Sequence, residues 1–314
     1  MKGDLKAAIS HLRRKELPII LKIQTTVLKE MEDFMIKKGF VQLMPLITSK
    51  FTDPLAPDPQ AALLKSVSFE YFGQKLVLTQ SMLLHKQLAL LTGCDKIFIF
   101  SPNVRLEKYE KISTGRHLIE FTQMDFEVAY ASMEDIMRFT EELIIKIFRK
   151  VKKTHSKELK ILGRKLEIPK RPFKVYTSHE LEEKFGKNWE IKASKEEKYP
   201  FWVICHKREF YDREDPENPG HFRNYDLIYP EGYGEALSGG EREWKYEKLK
   251  KKIKNDKLKA KIYKDFLAVA KEGLLKPSAG AGIGVERLVR FLTGRKHIIE
   301  VQPFIRAPGM KIII

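Results

Sequence analysis

The stretch GAGIGVERLVRFLTG, from Gly280 to Gly294, constrains the fold more than any other part of the chain. It reads as a glycine-rich strand running into a helix, with Arg287 on the first helical turn. Gly280, Gly282 and Gly284 allow a ligand to approach the backbone closely. An arginine at a helix N-terminus adds a fixed cation to the positive end of the helix dipole. Together these features make a phosphate site. Alone, a glycine-rich turn also fits a tight strand–helix join with a surface arginine.

Two further segments point the same way. In NVRLEKYEKISTGRHLIEFTQMDFEVAY, Arg105 and Glu107 lie two apart in an extended stretch and share a strand face. Arg116, His117 and Glu120 follow a polar loop. Phe121, Gln123, Asp125 and Glu127 then alternate with Thr122, Met124, Phe126 and Val128, giving one charged and one apolar face. So many charges on a sheet floor are costly unless they bind something. A solvated edge hairpin would explain the charges but not the apolar Phe121 among them. In NYDLIYPEGYGEALSGGERE, Asp226 and Glu235 flank a Pro/Gly turn and read as a hairpin. Two carboxylates brought together near phosphates suit Mg²⁺, although acidic hairpins are common. Ser238, Gly239 and Arg242 follow.

Taken in order, these segments resemble the catalytic domain of a class II aminoacyl-tRNA synthetase of the aspartyl/asparaginyl branch. VRLE with RHLIEF resembles the second signature motif, GIGVERLVRFL the third, and GEALSGGERE a stretch of the branch. GFVQLMPLI resembles the first motif, and FWV, FYDREDPENP and PFIRAPG also match. The likeness runs from about residue 20 to the C-terminus. It implies an α+β fold, a six-stranded antiparallel sheet flanked by helices, and a homodimer built on the first motif. It also implies that Arg105 clamps the α-phosphate of ATP and Glu107 faces the adenine amino group. Phe121 and Arg287 would stack on either side of adenine, and Arg287 and His117 would reach the γ-phosphate. Asp226, Glu235 and Ser238 would hold Mg²⁺. Arg105 and Arg287 are thus the expected catalytic residues of an adenylyl transfer that depends on positioning and charge neutralisation.

LTQSMLLHKQLAL resembles the aspartate-specific stretch of the branch. Lys86 falls on the lysine that binds the aspartate side chain, and Arg242 on the arginine that completes the clamp, a suitable pair for a carboxylate. Gln80, Ser81, Glu120, Gln123 and Gly239 complete the expected substrate set. The acidic loop of the branch is replaced by FTDPLAPDPQ, so Asp53 or Asp58 is expected to anchor the substrate ammonium. Cys205 and His206 replace a further family stretch. They read as a half-buried strand cysteine and a satisfied histidine, or as ligand contacts.

Only 38 residues precede Gly39, and they read as helix rather than as the anticodon-reading barrel of the branch. One domain spanning residues 1–314 is expected. This form resembles the freestanding archaeal-type asparagine synthetase, which implies adenylation of the aspartate β-carboxylate and attack by ammonia to give asparagine, AMP and pyrophosphate. The alternative is activation of aspartate for transfer to tRNA or a protein acceptor. A net charge of +17 fits a polyanion such as tRNA, or a mixed-sign thermophile surface. Lys245 to Lys264 reads mainly as a solvated amphipathic helix, so tRNA is not favoured as a partner. No apolar run is long enough for a membrane span and no secretory signal is present, so a cytoplasmic enzyme is expected.

Overall fold

A computed structural model of the chain describes residues 2–55, 66–206 and 209–313. The N-terminal region contains two helices, α1 (Lys2–Leu12) and α2 (Leu17–Lys37), where one was expected. Pro18 explains the break: it lacks an amide donor and is tolerated only in a first turn, where it opens α2. The short strand β1 (Val41–Gln42) follows. β2 (Thr48–Ser49), β3 (Ser68–Tyr71) and β4 (Gln74–Leu78) form a small side sheet. Next come α3 (Leu83–Ala89) and the long strands β5 (Lys96–Val104) and β6 (Glu120–Ala129).

Helix α4 (Met133–Thr154) is set by its sequence at both levels. Ser132 and Asp135 form a reciprocal capping box at its start. Ile136, Met137, Leu143, Ile144, Ile147, Phe148 and Val151 repeat at three-to-four spacing and are buried. Each such side chain, fully buried, contributes roughly 1.5–3 kcal/mol over exposure. The chain continues through α5 (Ser156–Ile161), β7 (Val175–Thr177), α6 (Ser178–Phe185), α7 (Trp189–Glu196) and β8 (Phe201–Ile204). Thr177 caps α6, and the Ser178 hydroxyl donates to the Cys205 carbonyl. The last third supplies β9 (Asn224–Tyr229), β10 (Gly234–Glu241), α8 (Tyr246–Asn255), α9 (Lys264–Lys271), β11 (Ser278–Gly284) and α10 (Val285–Thr293).

The main sheet has eight strands, in the order β1-β5-β6-β11-β10-β9-β8-β7, rather than the expected six. Its six central strands pair antiparallel, while β1 and β7 add short parallel edges. Strands of two and three residues carry no alternation to read. One face of the sheet presents Phe98, Met124, Phe126, Ala281, Ile283, Leu227 and Leu237 to α2, α4 and α10, forming the largest core. The opposite face is polar. A second core packs α8 and α9 against Phe51, Leu84, Phe210 and Tyr211. The run from Lys245 to Lys264 is not one helix: Lys257 takes a positive φ of 56° and a 3₁₀ turn intervenes before α9.

Candidate active site

Cross-strand register brings the polar residues together. Asp226, Ser238, Gly282 and Asp125 form one row across β9, β10, β11 and β6, and Asn224, Gly240, Gly280 and Glu127 form the next. A register shift between Glu235 and Leu237 inserts an extra residue. This bulge places Glu235 and Ser238, three apart in sequence, on the face that carries Asp226. The glycines expected to admit a ligand have another task in the fold. A Cβ at Gly280 would overlap the Glu127 carboxylate and the Phe126 carbonyl, and one at Gly282 would lie 2.8 Å from Asp125 Oδ1. They make room for acids on the neighbouring strand.

Over this face lies a cavity of about 690 Å³, within the usual range for ligand sites. Its lining includes Asp53, Ser81, Lys86, Arg105, Glu107, His117, Phe121, Gln123, Asp226, Glu235, Ser238, Gly239, Arg242 and Arg287. Two expected contacts lie elsewhere. Gln80 is buried behind the wall, where its carbonyl accepts a bond from Arg105 Nε at 3.0 Å. Glu120 falls on the opposite strand parity from Phe121, is exposed, and faces Arg306 at 3.7 Å. Gly239 also has the parity of the core face, where a Cβ would meet the Tyr225 ring, so it offers the cavity only backbone. Asp58 lies outside the described residues.

At one end of the cavity the groups are phosphate-like in their complementarity. The Arg105 guanidinium lies 5.1 Å over the Phe121 ring. Arg287, on the first turn of α10, meets Glu235 at 3.1 Å and donates to the Arg116 carbonyl. Asp226 lies 3.3 Å from His206 Nε2. Among the described residues, no group of three or more His, Cys, Asp or Glu is placed to hold a metal by itself. Asp226 and Glu235 are hard-oxygen donors that need further oxygens, such as those of a polyphosphate, to complete a Mg²⁺ shell.

At the other end is a buried charge cluster. Lys86 Nζ donates to Asp125 Oδ1 at 3.0 Å and to the carbonyls of Phe126 and Ala281, and lies 3.7 Å from Glu127. Arg242 donates to both Glu127 oxygens, at 3.0 and 3.3 Å, and lies 3.9 Å from Asp212. Both cations therefore already have carboxylate partners. Asp125 Oδ2 is buried with no hydrogen-bond partner among the described residues. Asp53 accepts from the Tyr211 hydroxyl at 2.7 Å, and burial raises its carboxyl pKa.

Several wall residues carry no sequence signal. Glu182, Lys187 and Trp189 come from the α6–α7 region, which matches no motif. Glu190 of α7 forms a bidentate, buried ion pair with Arg116, and its carboxylate accepts the Glu235 amide at 2.7 Å. His206 lines the cavity, whereas Cys205 lies beyond β8 with its sulfur 3.7 Å from His221 Nδ1.

Burial, with Arg287 and Arg116 beside it, pushes the His117 imidazole down to about 2. Its unfolded value is near 6.5, so below that pH the unfolded chain binds a proton that the folded chain does not. Ligand-free stability should therefore fall as pH drops from 7 to 5. His117→Gln should flatten this slope in part, because His85, pushed down to about 4 by burial, acts in the same direction. Urea midpoints across that range measure it. A slope identical to the parent's would mean that His117 does not titrate this way.

An antiparallel sheet of this order, with its arginine-bearing polar face backed by helices, defines a class II synthetase-type ligase fold. The chain belongs to the class II tRNA synthetases (D, K and N), whose family model matches residues 1–308. The asparagine–tRNA ligase of Thermoplasma acidophilum is 30% identical over 316 residues, spanning 94% of this chain and 70% of that protein. The asparagine–tRNA ligase of Pelotomaculum thermopropionicum is 32% identical over 327 residues, spanning 96% and 73%. The asparaginyl-tRNA synthetase of Pyrococcus horikoshii complexed with asparaginyl-adenylate superposes with a TM-score of 0.87 at 27% identity, covering 98% of this chain and 72% of that one. These relatives overturn the expectation that the chain makes free asparagine from aspartate and ammonia, since they are named for ligation to tRNA. No described helix is long and apolar enough to cross a membrane.

Proposed function

We propose that the chain activates asparagine with ATP and transfers the asparaginyl group to tRNA. The asparagine carboxylate attacks the α-phosphorus, the bond to the β-phosphate oxygen breaks, and pyrophosphate leaves. A ribose hydroxyl at the tRNA 3′ end then attacks the carbonyl carbon, AMP leaves, and the hydroxyl proton passes to solvent. Arg105 holds the α-phosphate, Arg287 and His117 the γ-phosphate, and Glu107 the adenine amino group, with Phe121 beneath the ring. Asp226, Glu235 and Ser238 would hold Mg²⁺, which would supply neutralisation of phosphate charge.

The charge-balanced cluster at the far end of the cavity carries the choice of asparagine. Lys86 and Arg242 are matched by Asp125 and Glu127, with Asp212 nearby. A side-chain carboxylate would add an anion where the cations are already engaged. A carboxamide needs a donor and an acceptor side by side. The Arg242 guanidinium, whose Nη1 lies 3.9 Å from Asp212, and the buried Asp125 Oδ2 supply that pair.

The test is ATP–pyrophosphate exchange with asparagine or aspartate alone, followed by transfer of the labelled amino acid to tRNA. Asparagine should support exchange with kcat/KM at least about tenfold above aspartate, a difference of roughly 1.4 kcal/mol. Exchange driven by aspartate alone would overturn the asparagine assignment. Absence of exchange with both would overturn adenylation.

A further inference from the structure

The site leaves one feature of the molecule unused. Between Lys245 and Lys264 stand ten lysines against two acids, Glu247 and Asp256. Packing does not call for them. Helix α8 is held by Leu249 and Ile253, buried against Phe210, Tyr211 and Phe266. Helical spacing then turns Lys248, Lys251 and Lys254 outward, and all three are exposed. Like charges three and four apart cost a helix a few tenths of a kcal/mol per pair, roughly 0.2–0.5. A row of them lowers the stability of α8 unless an anion neutralises it.

The placement of the row is informative. On the flank of α8, Lys252 donates to the Asp212 carbonyl, and Asp212 and Tyr211 line the active-site cavity. The basic face is therefore the outside of the wall whose inside is the catalytic cavity. Where α8 begins, Arg213 lies 5.1 Å and Lys245 5.7 Å from the centre of the Trp244 ring, and Lys250 lies 5.6 Å over Tyr246. Cations grouped with aromatic rings beside a reaction cavity suit a polyanion whose end must enter that cavity. Lysines act as point charges on phosphodiesters and read no sequence.

We propose that the outward lysine face of α8, through Lys248, Lys251 and Lys254, docks the phosphate backbone of the tRNA arm whose 3′ end enters the cavity. This inference rests on the tRNA-charging reading above. The charge pattern alone also fits an anionic lipid surface, which becomes an arm of the test.

The experiment compares the full chain with its Lys248→Gln/Lys251→Gln/Lys254→Gln variant, and with the corresponding triple Lys→Arg variant. Pyrophosphate exchange, which needs no tRNA, should be unchanged in both. In the glutamine variant, KM for tRNA should rise about tenfold or more, and the slope of log affinity against log salt should shrink by about 2–3. The arginine variant should restore both. If the parent charges tRNA and the glutamine variant does so with the same KM and salt slope, the docking surface is overturned while the function stands. If the parent exchanges pyrophosphate yet neither binds nor charges tRNA, the function fails and the docking surface with it. Lysine-dependent binding to phosphatidylserine vesicles, without lysine-dependent binding to tRNA, would also overturn it.

Discussion

Arg105→Ala is expected to lower ATP–pyrophosphate exchange by about a thousandfold or more while leaving the urea midpoint close to the parent's. Removing one preorganised charge donor from a reaction of this type costs roughly 10²–10³ in rate, and a lone phosphate-directed arginine is worth up to about 10⁵. The structure supports the upper part of that range. Arg105 follows β5 directly, its backbone amide is bonded to the Ile119 carbonyl, and its Nε is fixed to the Gln80 carbonyl. The guanidinium is therefore aimed before ATP arrives and loses little entropy on binding. Stability should hardly move, because the side chain is only half-buried and, among the described residues, its one ring contact is with Phe121. Arg105→Lys should recover only a small part of the rate, since a point charge cannot make the two-pronged contact. Exchange within about threefold of the parent in Arg105→Ala would remove this residue from the α-phosphate.

How far the sequence could be read depends on whether each signal is local. The alternation of β6 and the Arg287-bearing start of α10 were legible, because alternation and a glycine before a helix are patterns within one segment, whereas Arg105 and Glu107, expected on a strand, lie just past the end of β5. The break of the lysine run at Lys257 was not legible, since a positive φ at a lysine leaves no compositional trace. The packing task of Gly280 and Gly282 left no local signal for a related reason. Only the register of β11 on β6 shows that Glu127 and Asp125 fill the space above them. Lys86 and Arg242 were paired as a carboxylate clamp from motif resemblance. Their acidic partners lie 39 and 115 residues away in sequence and become neighbours only through the strand order. That pairing changes the substrate argument from a carboxylate clamp to a donor beside an acceptor. The α6–α7 wall was invisible because Glu190 and Trp189 belong to no motif. Their effect is exerted through Arg116 and the Glu235 amide.

Glu127→Ala is expected to be the most destabilising single substitution at the site, by about 3–5 kcal/mol, the usual consequence of removing one partner from a buried ion pair. Glu127 has no solvent exposure, and its two oxygens take bonds from Arg242 and from the Ser278 hydroxyl, with Lys86 at 3.7 Å. Truncation would leave Arg242, itself 2% exposed, with the Gly280 carbonyl and a carboxylate 3.9 Å away. A buried guanidinium without close neutralisation carries most of its desolvation cost uncompensated. Removing both charges should cost less than the sum of the single changes, because neither partner is then stranded. Glu127→Leu/Arg242→Met, set against each single change in a urea-denaturation cycle, should therefore show a coupling of about 1–3 kcal/mol. Exchange activity should still be lost in the double variant, since the cavity loses the Arg242 donor and Lys86 would keep only Asp125 as a carboxylate partner. Additive single effects, or a loss below about 1 kcal/mol for Glu127→Ala, would mean that water already reaches the cluster. The balance of charge would then not be what selects an amide over an acid.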